Sequence, residues 1–443
     1  MEKFDTQFFK KTLGPMAIQM SGYGIQYLFL IIVSHTLTVS QFGTISYAIV
    51  INTLLATLIA LGTDSNSKHF FALYIREKAF KKITIYIAWN IKLVLRPVSI
   101  SLLLFCILFF IIDPFELLFE RHLSETTKII TSLTLTAPFF AISNILSSYL
   151  LCDNKIKLYI YFFTVQAFLI MTLLTLAPAY FGLFTPSVNY ILMAMILASI
   201  INALTTCLAI KRFSPQIYNT VHNLVLSPEL LSKMKVWDQQ TRLQLINNFL
   251  NAAMIKIDYI ILIFFATSHD LGIYSVATNT SFVLPNITVG LFSFIVPMIS
   301  SMINKKSSRA ELQATWNQAL KLNTFILFFF WLGLIVFAKQ VVLGIYGPSY
   351  LESTSLLQIL ATTYLITSIP GSKGYLLAYS RNVNYSIKGY ILRITMCIIF
   401  ACFLHDYGMQ GIAMSALLSE ICRTVFLIFI IKRKTGFKVF GII

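Results

Sequence analysis

The chain has 443 residues; 57% are hydrophobic, 12% are charged and the formal net charge is +17. A soluble domain carries about 25% charged residues, so the composition excludes an ordinary water-soluble fold. The apolar runs are continuous over about twenty residues rather than alternating, which also excludes a β-barrel.

These runs predict twelve transmembrane helices, at 12–35, 43–63, 83–112, 126–150, 158–181, 187–210, 242–267, 271–300, 315–343, 351–379, 385–404 and 408–431. No A-x-A-like cleavage site follows the first run, which is read as a retained span rather than a signal peptide. The long connection 211–241 carries Lys211, Arg212, Lys233, Lys235 and Asp238. It is read as a cytoplasmic linker with one amphipathic piece, separating an N-terminal six-helix lobe (1–210) from a C-terminal one (242–443). The fold class is an all-α polytopic membrane protein. Cys106, Cys152, Cys207, Cys397, Cys402 and Cys422 show no C-x-x-C spacing and the six histidines no zinc spacing, so no metal or cofactor is expected.

Lysine and arginine alternate from one connection to the next. Lys10 and Lys11, then Arg76 to Lys82, Lys155 and Lys157, Lys211 and Arg212, Lys305 to Arg309, Arg381, and Lys432 to Lys434 fall on one side. The other side holds Asp113, Glu116, Glu120, Asp270, Glu352 and Asp406, with little beyond Arg121 and Lys339. Positive residues stay inside, so both termini are expected in the cytoplasm. This pattern also accounts for the net charge without nucleic acid.

The chain reads as duplicated. FGTISYA, Phe42–Ala48, opens the second span and LGIYSVA, Leu271–Ala277, opens the eighth; Gly, Ser and Ala coincide. A weaker echo links Asp153-Asn154-Lys155 with Arg381-Asn382-Val383. Six spans per half is an even number, so the halves should be related by an axis along the membrane normal and rock about a central cavity.

The Gln19 to Gln26 spacing, the QFGTISYA entry, the Leu61-Gly62 ending, the KIDYII…LGIYSVA hairpin and the HDYGMQGIAMSALLSE run resemble the polysaccharide-transporter branch of the MOP exporter superfamily. Within it they are most similar to O-antigen (Wzx-type) lipid-linked oligosaccharide flippases. The resemblance implies a MATE-like, two-lobed transporter of twelve helices in the bacterial inner membrane. Its substrate would be an undecaprenyl-diphosphate-linked glycan, moved from the cytoplasmic to the periplasmic leaflet. Glycan polymerase and chain-length proteins would be its partners.

Charged residues inside the spans need a separate account, because one at the bilayer centre costs about 2.5–3.5 kcal/mol. Lys92 and Arg96 share a helix face, with Pro97 as a candidate kink. Lys256 and Asp258 lie in span 7, Arg393 in span 11, and Glu420 and Arg423 at i,i+3 in span 12. Asp64 and Lys373 sit near inner ends. The excess is cationic, which suits a diphosphate. Arg96, Lys256, Arg393, Lys92 and Arg423 are the candidate substrate ligands. Asp258, Glu420 and Asp64 are candidates for charge pairing or for H⁺ or Na⁺ coupling, and Asp258 is expected to meet a cation on another helix. Gln19, Gln26, Pro285 and Lys373 are read as structural or gating residues; Pro285 is the best-placed hinge.

An enzyme such as a glycan polymerase is disfavoured, because no sizeable outer loop or nucleotide motif is present. A multidrug or cation antiporter of the same superfamily would favour an acidic core instead. The topology predicts that a reporter active only outside the cell, fused after Ile443, is silent. Activity there would overturn the orientation.

Overall fold

The structure is a computed structural model that describes residues 6–435, apart from 78, 112–124, 154, 181–185, 216–228, 305–308 and 380–382. The expected outer connection at 113–124 and the basic residues Lys305, Lys306 and Arg381 lie outside the described residues. Every described element is helical. With no water to satisfy backbone N–H and C=O groups in hydrocarbon, a helix closes its own hydrogen bonds.

The helices are α1 (Thr6–Thr36), α2 (Val39–Ala60), α3 (Thr63–Arg76), α4 (Phe80–Ile111), α5 (Glu125–Tyr149), α6 (Ile156–Ile160), α7 (Gln166–Tyr180) and α8 (Val188–Phe213). They continue as α9 (Glu229–Ile255), α10 (Ile257–Phe265), α11 (Ser268–Ser281), α12 (Val283–Asn304), α13 (Arg309–Val336), α14 (Ala338–Ile345), α15 (Ser353–Tyr379), α16 (Val383–Leu404) and α17 (Gly408–Thr435). Each of the twelve expected spans falls on one of these helices or on a consecutive pair. Among the described residues, seven stretches are by themselves long and apolar enough to cross a membrane, one of them running through α16 and α17. The bent pair α9–α10 makes an eighth. Leu95, Leu204 and Phe325 are more than half exposed, as lipid-facing side chains are.

Several details depart from the sequence reading. Span 7 begins earlier than expected: α9 takes in Lys233, Lys235 and Asp238 from the predicted linker. The amphipathic helix α3 was not anticipated. It is set off from α2 by left-handed residues, Leu61 at φ 53° and Gly62 at φ 74°. A Cβ on Gly62 would run into the backbone of Gln244 and Leu245 on α9, so glycine is required for both conformation and contact. Ser268-His269-Asp270, left between the predicted spans 242–267 and 271–300, is the first turn of α11. Pro97 lies inside the continuous helix α4.

The chain forms two compact units. One comprises 1–20, 38–46 and 253–443; the other comprises 21–37 and 47–252. In the second unit, Phe70, Tyr74, Tyr86, Trp89 and Trp237 form an aromatic core. The Trp237 indole donates to the Tyr74 hydroxyl at 3.0 Å, and burial pushes that hydroxyl's pKa up. A π turn at Tyr161–Val165 between α6 and α7 places Thr164 against Gly22.

In the first unit the two copies of the repeated motif meet. Each starts with a threonine that caps its helix. Thr38 and Gln41 exchange hydrogen bonds at 3.1 and 3.4 Å at the start of α2. Thr267 and Asp270 do the same at 3.0 and 3.3 Å at the start of α11. Both are capping boxes, at the same register relative to Gly43 and Gly272. The two glycines lie at the crossing of α2 and α11. A Cβ on Gly43 would strike the Ser268 carbonyl, and one on Gly272 the Val39 carbonyl.

Gly43→Ala and Gly272→Ala should each destabilise the purified protein by about 1–3 kcal/mol, the usual cost of overpacking. Gly24→Ala, where space is open, should be neutral or slightly stabilising. Thermal unfolding in one detergent would compare all three, and equal midpoints would refute the close crossing.

Candidate functional site

The deep charges of the first unit lie on α10, α16 and α17, with Lys256 at the break just before α10. Glu420 is fully buried, and each of its oxygens faces a guanidinium. Arg423 Nη1 donates to Oε1 at 2.6 Å, one helical turn away on α17. Arg393 Nε, on α16, lies 3.0 Å from Oε2 as an ion pair; the two atoms are close but not aligned as a hydrogen bond. Arg393 is 2% exposed and Glu420 0%. The Arg423 guanidinium also stacks over Tyr390 at 5.7 Å. Two cations on one carboxylate leave this triad with a surplus positive charge.

Close by, the chain breaks at Lys256. The residue sits at φ −115°, ψ 14°, between α9 and α10, and the two helices bend by 59°. Lys256 and Asp258 therefore do not share one regular helix as the sequence suggested. The Lys256 ammonium lies 5.4 Å over the Phe282 ring, within cation–π range. Asp258 is 2% exposed, and its Oδ2 accepts a 2.6 Å hydrogen bond from the Tyr274 hydroxyl on α11. The cation expected as its bonded partner is thus a neutral phenol, although Arg393 lies within electrostatic reach. The second carboxylate oxygen, Oδ1, is buried without a hydrogen bond. Tyr274 was legible in principle. At the same register, the first repeat has Phe29 and Ile45 where the second has Asp258 and Tyr274. The acid and its donor arrive together.

Of the remaining candidates, Asp64, Lys92, Arg96 and Gln26 belong to the second unit, and Gln19, Pro285 and Lys373 to the first. Asp64 begins α3, and Asn248 on α9 reaches its Oδ1 at 3.5 Å and the Ser65 hydroxyl at 2.9 Å. Asn66 donates to Thr241 at 2.7 Å, so α3 and α9 are joined by a polar seam that no motif in the sequence announced. Lys92 and Arg96 share the exposed face of α4 with Leu95, Ile100 and Leu103. Neither has a carboxylate within 4 Å among the described residues. Gln19 and Gln26 are both half-buried on α1, and Gly22 between them packs on Thr164. Pro285 is the third residue of α12, just after the break at Phe282 that ends α11. Lys373 lies on α15; its side chain is outside the described residues.

Breaking a buried ion pair typically costs about 3–5 kcal/mol, because it strands a charge. Glu420→Ala strands two guanidiniums and should lose at least that much stability. Arg423→Ala leaves Arg393 to neutralise Glu420 and should cost less. Detergent-solubilised thermal melts of the two variants would show the order, and a reversed order would remove Glu420 from the centre of the triad.

Comparison with known proteins bears on what this arrangement belongs to. A family model described as "Polysaccharide biosynthesis protein" matches residues 32–355. A comparison with curated proteins found no match. Among solved structures, the fold resembles a multidrug resistance MATE family transporter of the MOP superfamily in its inward-facing conformation. There the TM-score is 0.67 at 15% identity, over 96% of this chain and 99% of that one. It also resembles the lipid II flippase MurJ in an inward closed conformation, with TM-score 0.62 at 14% identity, over 94% and 87% of the two chains. A eukaryotic MATE transporter, AtDTX14, gives 0.62 at 13% identity, over 96% and 95%. Likenesses at this identity establish the fold, and the family match covers most of the sequence. The chain belongs to the polysaccharide biosynthesis protein family.

Proposed function

We propose that the protein is a flippase for an undecaprenyl-diphosphate-linked oligosaccharide, such as an O-antigen repeat unit. It carries the head group from the cytoplasmic to the periplasmic leaflet by alternating access, without catalysing bond chemistry. The observation that carries this reading is the polysaccharide biosynthesis match over 32–355, on a chain that also has the MATE and MurJ fold. Unpaired cations in the spans support it, since a diphosphate crossing hydrocarbon must exchange its hydration for compensating charge.

The geometry sorts the candidate ligands. Arg393 and Arg423 are engaged by Glu420, and they serve first to hold α16 and α17 together. Lys92, Arg96 and Lys256 have no carboxylate within 4 Å among the described residues. They are the candidate cations not already held by a carboxylate, and so the ones placed to meet an anionic head group. Asp258, buried with one oxygen unbonded, is the candidate for H⁺ or Na⁺ coupling. The cytoplasmic placement of both termini and residence in the bacterial inner membrane belong to the same reading, and they rest on the charge asymmetry of the connections. A multidrug antiporter is the rival within the fold; the unpaired cations disfavour cationic drugs.

Deleting the gene should abolish surface glycan and accumulate the lipid-linked unit on the cytoplasmic side. Wild type should restore export. Lys256→Gln and the pair Lys92→Gln with Arg96→Gln should each reduce it about tenfold or more at normal protein level, the scale of one lost charge-assisted contact. In vesicles, Asp258→Asn should remove any dependence of flipping on an imposed proton or sodium gradient. Unchanged surface glycan after deletion, with no second flippase present, would overturn the assignment.

A further inference from the structure

A cleft of about 590 Å³ opens between the start of α15 and the start of α17, within the first unit. Its walls are Glu352, Thr354, Ser355 and Gln358 on one side, and Tyr407 and Gln410 on the other. The connections bounding it belong to the acidic, outer set of the topology. On α17 the cleft residue Gln410 lies about 15 Å, nearly three turns, from Glu420.

Its chemistry is specific. Tyr407 is 72% exposed, at the end of the short 3-10 turn His405–Tyr407. The next residue, Gly408, has φ 59° and ψ −139°, a conformation open essentially to glycine alone. Glycine at 408 turns the chain next to Tyr407, whose exposed ring stands at the mouth of the cleft. Behind it, Gln410 donates to the Ser355 hydroxyl at 3.2 Å, and Gln358 donates to the Ile335 carbonyl at 3.0 Å. Each bond fixes a planar amide while leaving its carbonyl free to accept. Thr354 uses its proton on the Leu351 carbonyl at 2.7 Å, which leaves oxygen lone pairs facing outward. Among the described residues the charge in the wall is Glu352, and Asp406 directly precedes Tyr407 in sequence.

We propose that this cleft is a binding subsite for a neutral or amino-bearing oligosaccharide on the outer face. An exposed ring offers a flat apolar surface for the C–H face of a sugar. Fixed amides and hydroxyls offer acceptors and donors to sugar hydroxyls. The carboxylate repels uronic acids and other anionic sugars. The site would hold the glycan where it arrives, while the lipid tail remains in the outer leaflet. This inference rests on the flippase reading, whose own site lies elsewhere.

The test uses full-length protein in nanodiscs, with chitotetraose and maltotetraose as neutral probes and tetragalacturonate as the acidic one, read by saturation-transfer NMR. A neutral probe should bind, and tetragalacturonate should bind about tenfold more weakly or not at all. Tyr407→Ala and Gln410→Ala should each weaken the neutral probe about tenfold, the scale of one stacking contact. Tyr407→Trp should retain binding. No binding by either neutral probe overturns the proposal, as does binding that Tyr407→Ala and Gln410→Ala leave unchanged. If Tyr407 is only a membrane-interface anchor, its alanine variant will lower stability in nanodiscs while no sugar binds, which also overturns it. Restoration of surface glycan by wild type reads the flippase assignment separately. A protein that restores export but binds no probe loses only the cleft.

Discussion

The C-terminal helices are organised around a carboxylate that water cannot reach. Glu420, fully buried, is stable as an anion only because Arg393 and Arg423 neutralise it. Their approach needs α16 and α17 to lie close. The buried face of α17 is correspondingly small, with Ala413, Ser415, Ala416 and Ser419, the residue types that let helices pack tightly in lipid. On α16, Gly389 leaves room for Leu427. Small residues and the ion pair therefore depend on each other: without the close approach the charges separate, and without neutralisation the packed face would bury an unpaired ion.

The same logic of close approach governs the other end of the first unit. Gly43 and Gly272 leave no space for side chains where α2 crosses α11. Both helices begin with a threonine capping box a fixed distance before the glycine. The repeated motif is thus a physical device used twice: a cap that fixes where the helix starts, then a glycine that lets the two starts touch. Tyr259 adds a 3.4 Å hydrogen bond to the Gly43 carbonyl, and Ser275 donates to Tyr259 at 3.1 Å, so the crossing is tied to α10 as well.

Much of this is legible in the sequence. Hydropathy located the spans because every lipid-exposed backbone must be helical. The repeat was visible in Gly, Ser and Ala, and the Glu420–Arg423 pair in its i,i+3 spacing. Other features depended on distance in sequence. Nothing local to Arg393 names Glu420 as its partner, nor does anything near Trp237 name Tyr74. The break at Lys256 carries no proline or glycine, so it could not be read as punctuation. It is visible only as a backbone excursion. Helix α3 escaped notice because its apolar residues are too few for a span and its polar ones, Asn66 and Ser67, are buried against α9 and α4.

These pairings change the meaning of a basic core. Counting lysines and arginines inside the spans gives a general argument for an anionic substrate, but an arginine held on a buried carboxylate has its guanidinium already engaged. Once Arg393 and Arg423 are assigned to Glu420, the argument rests on Lys92, Arg96 and Lys256. Lys256 is the most informative of them. It sits where the helix is interrupted, beside an acid hydrogen-bonded to a tyrosine rather than to the lysine itself. At that register the first repeat has only aromatic residues, Tyr27 and Phe29. The two halves are alike where they must pack and differ where a cation, an acid and a bent backbone coincide. On the flippase reading proposed above, a duplicated scaffold handling an asymmetric ligand would break its symmetry there, at the residues that would meet a charged head group.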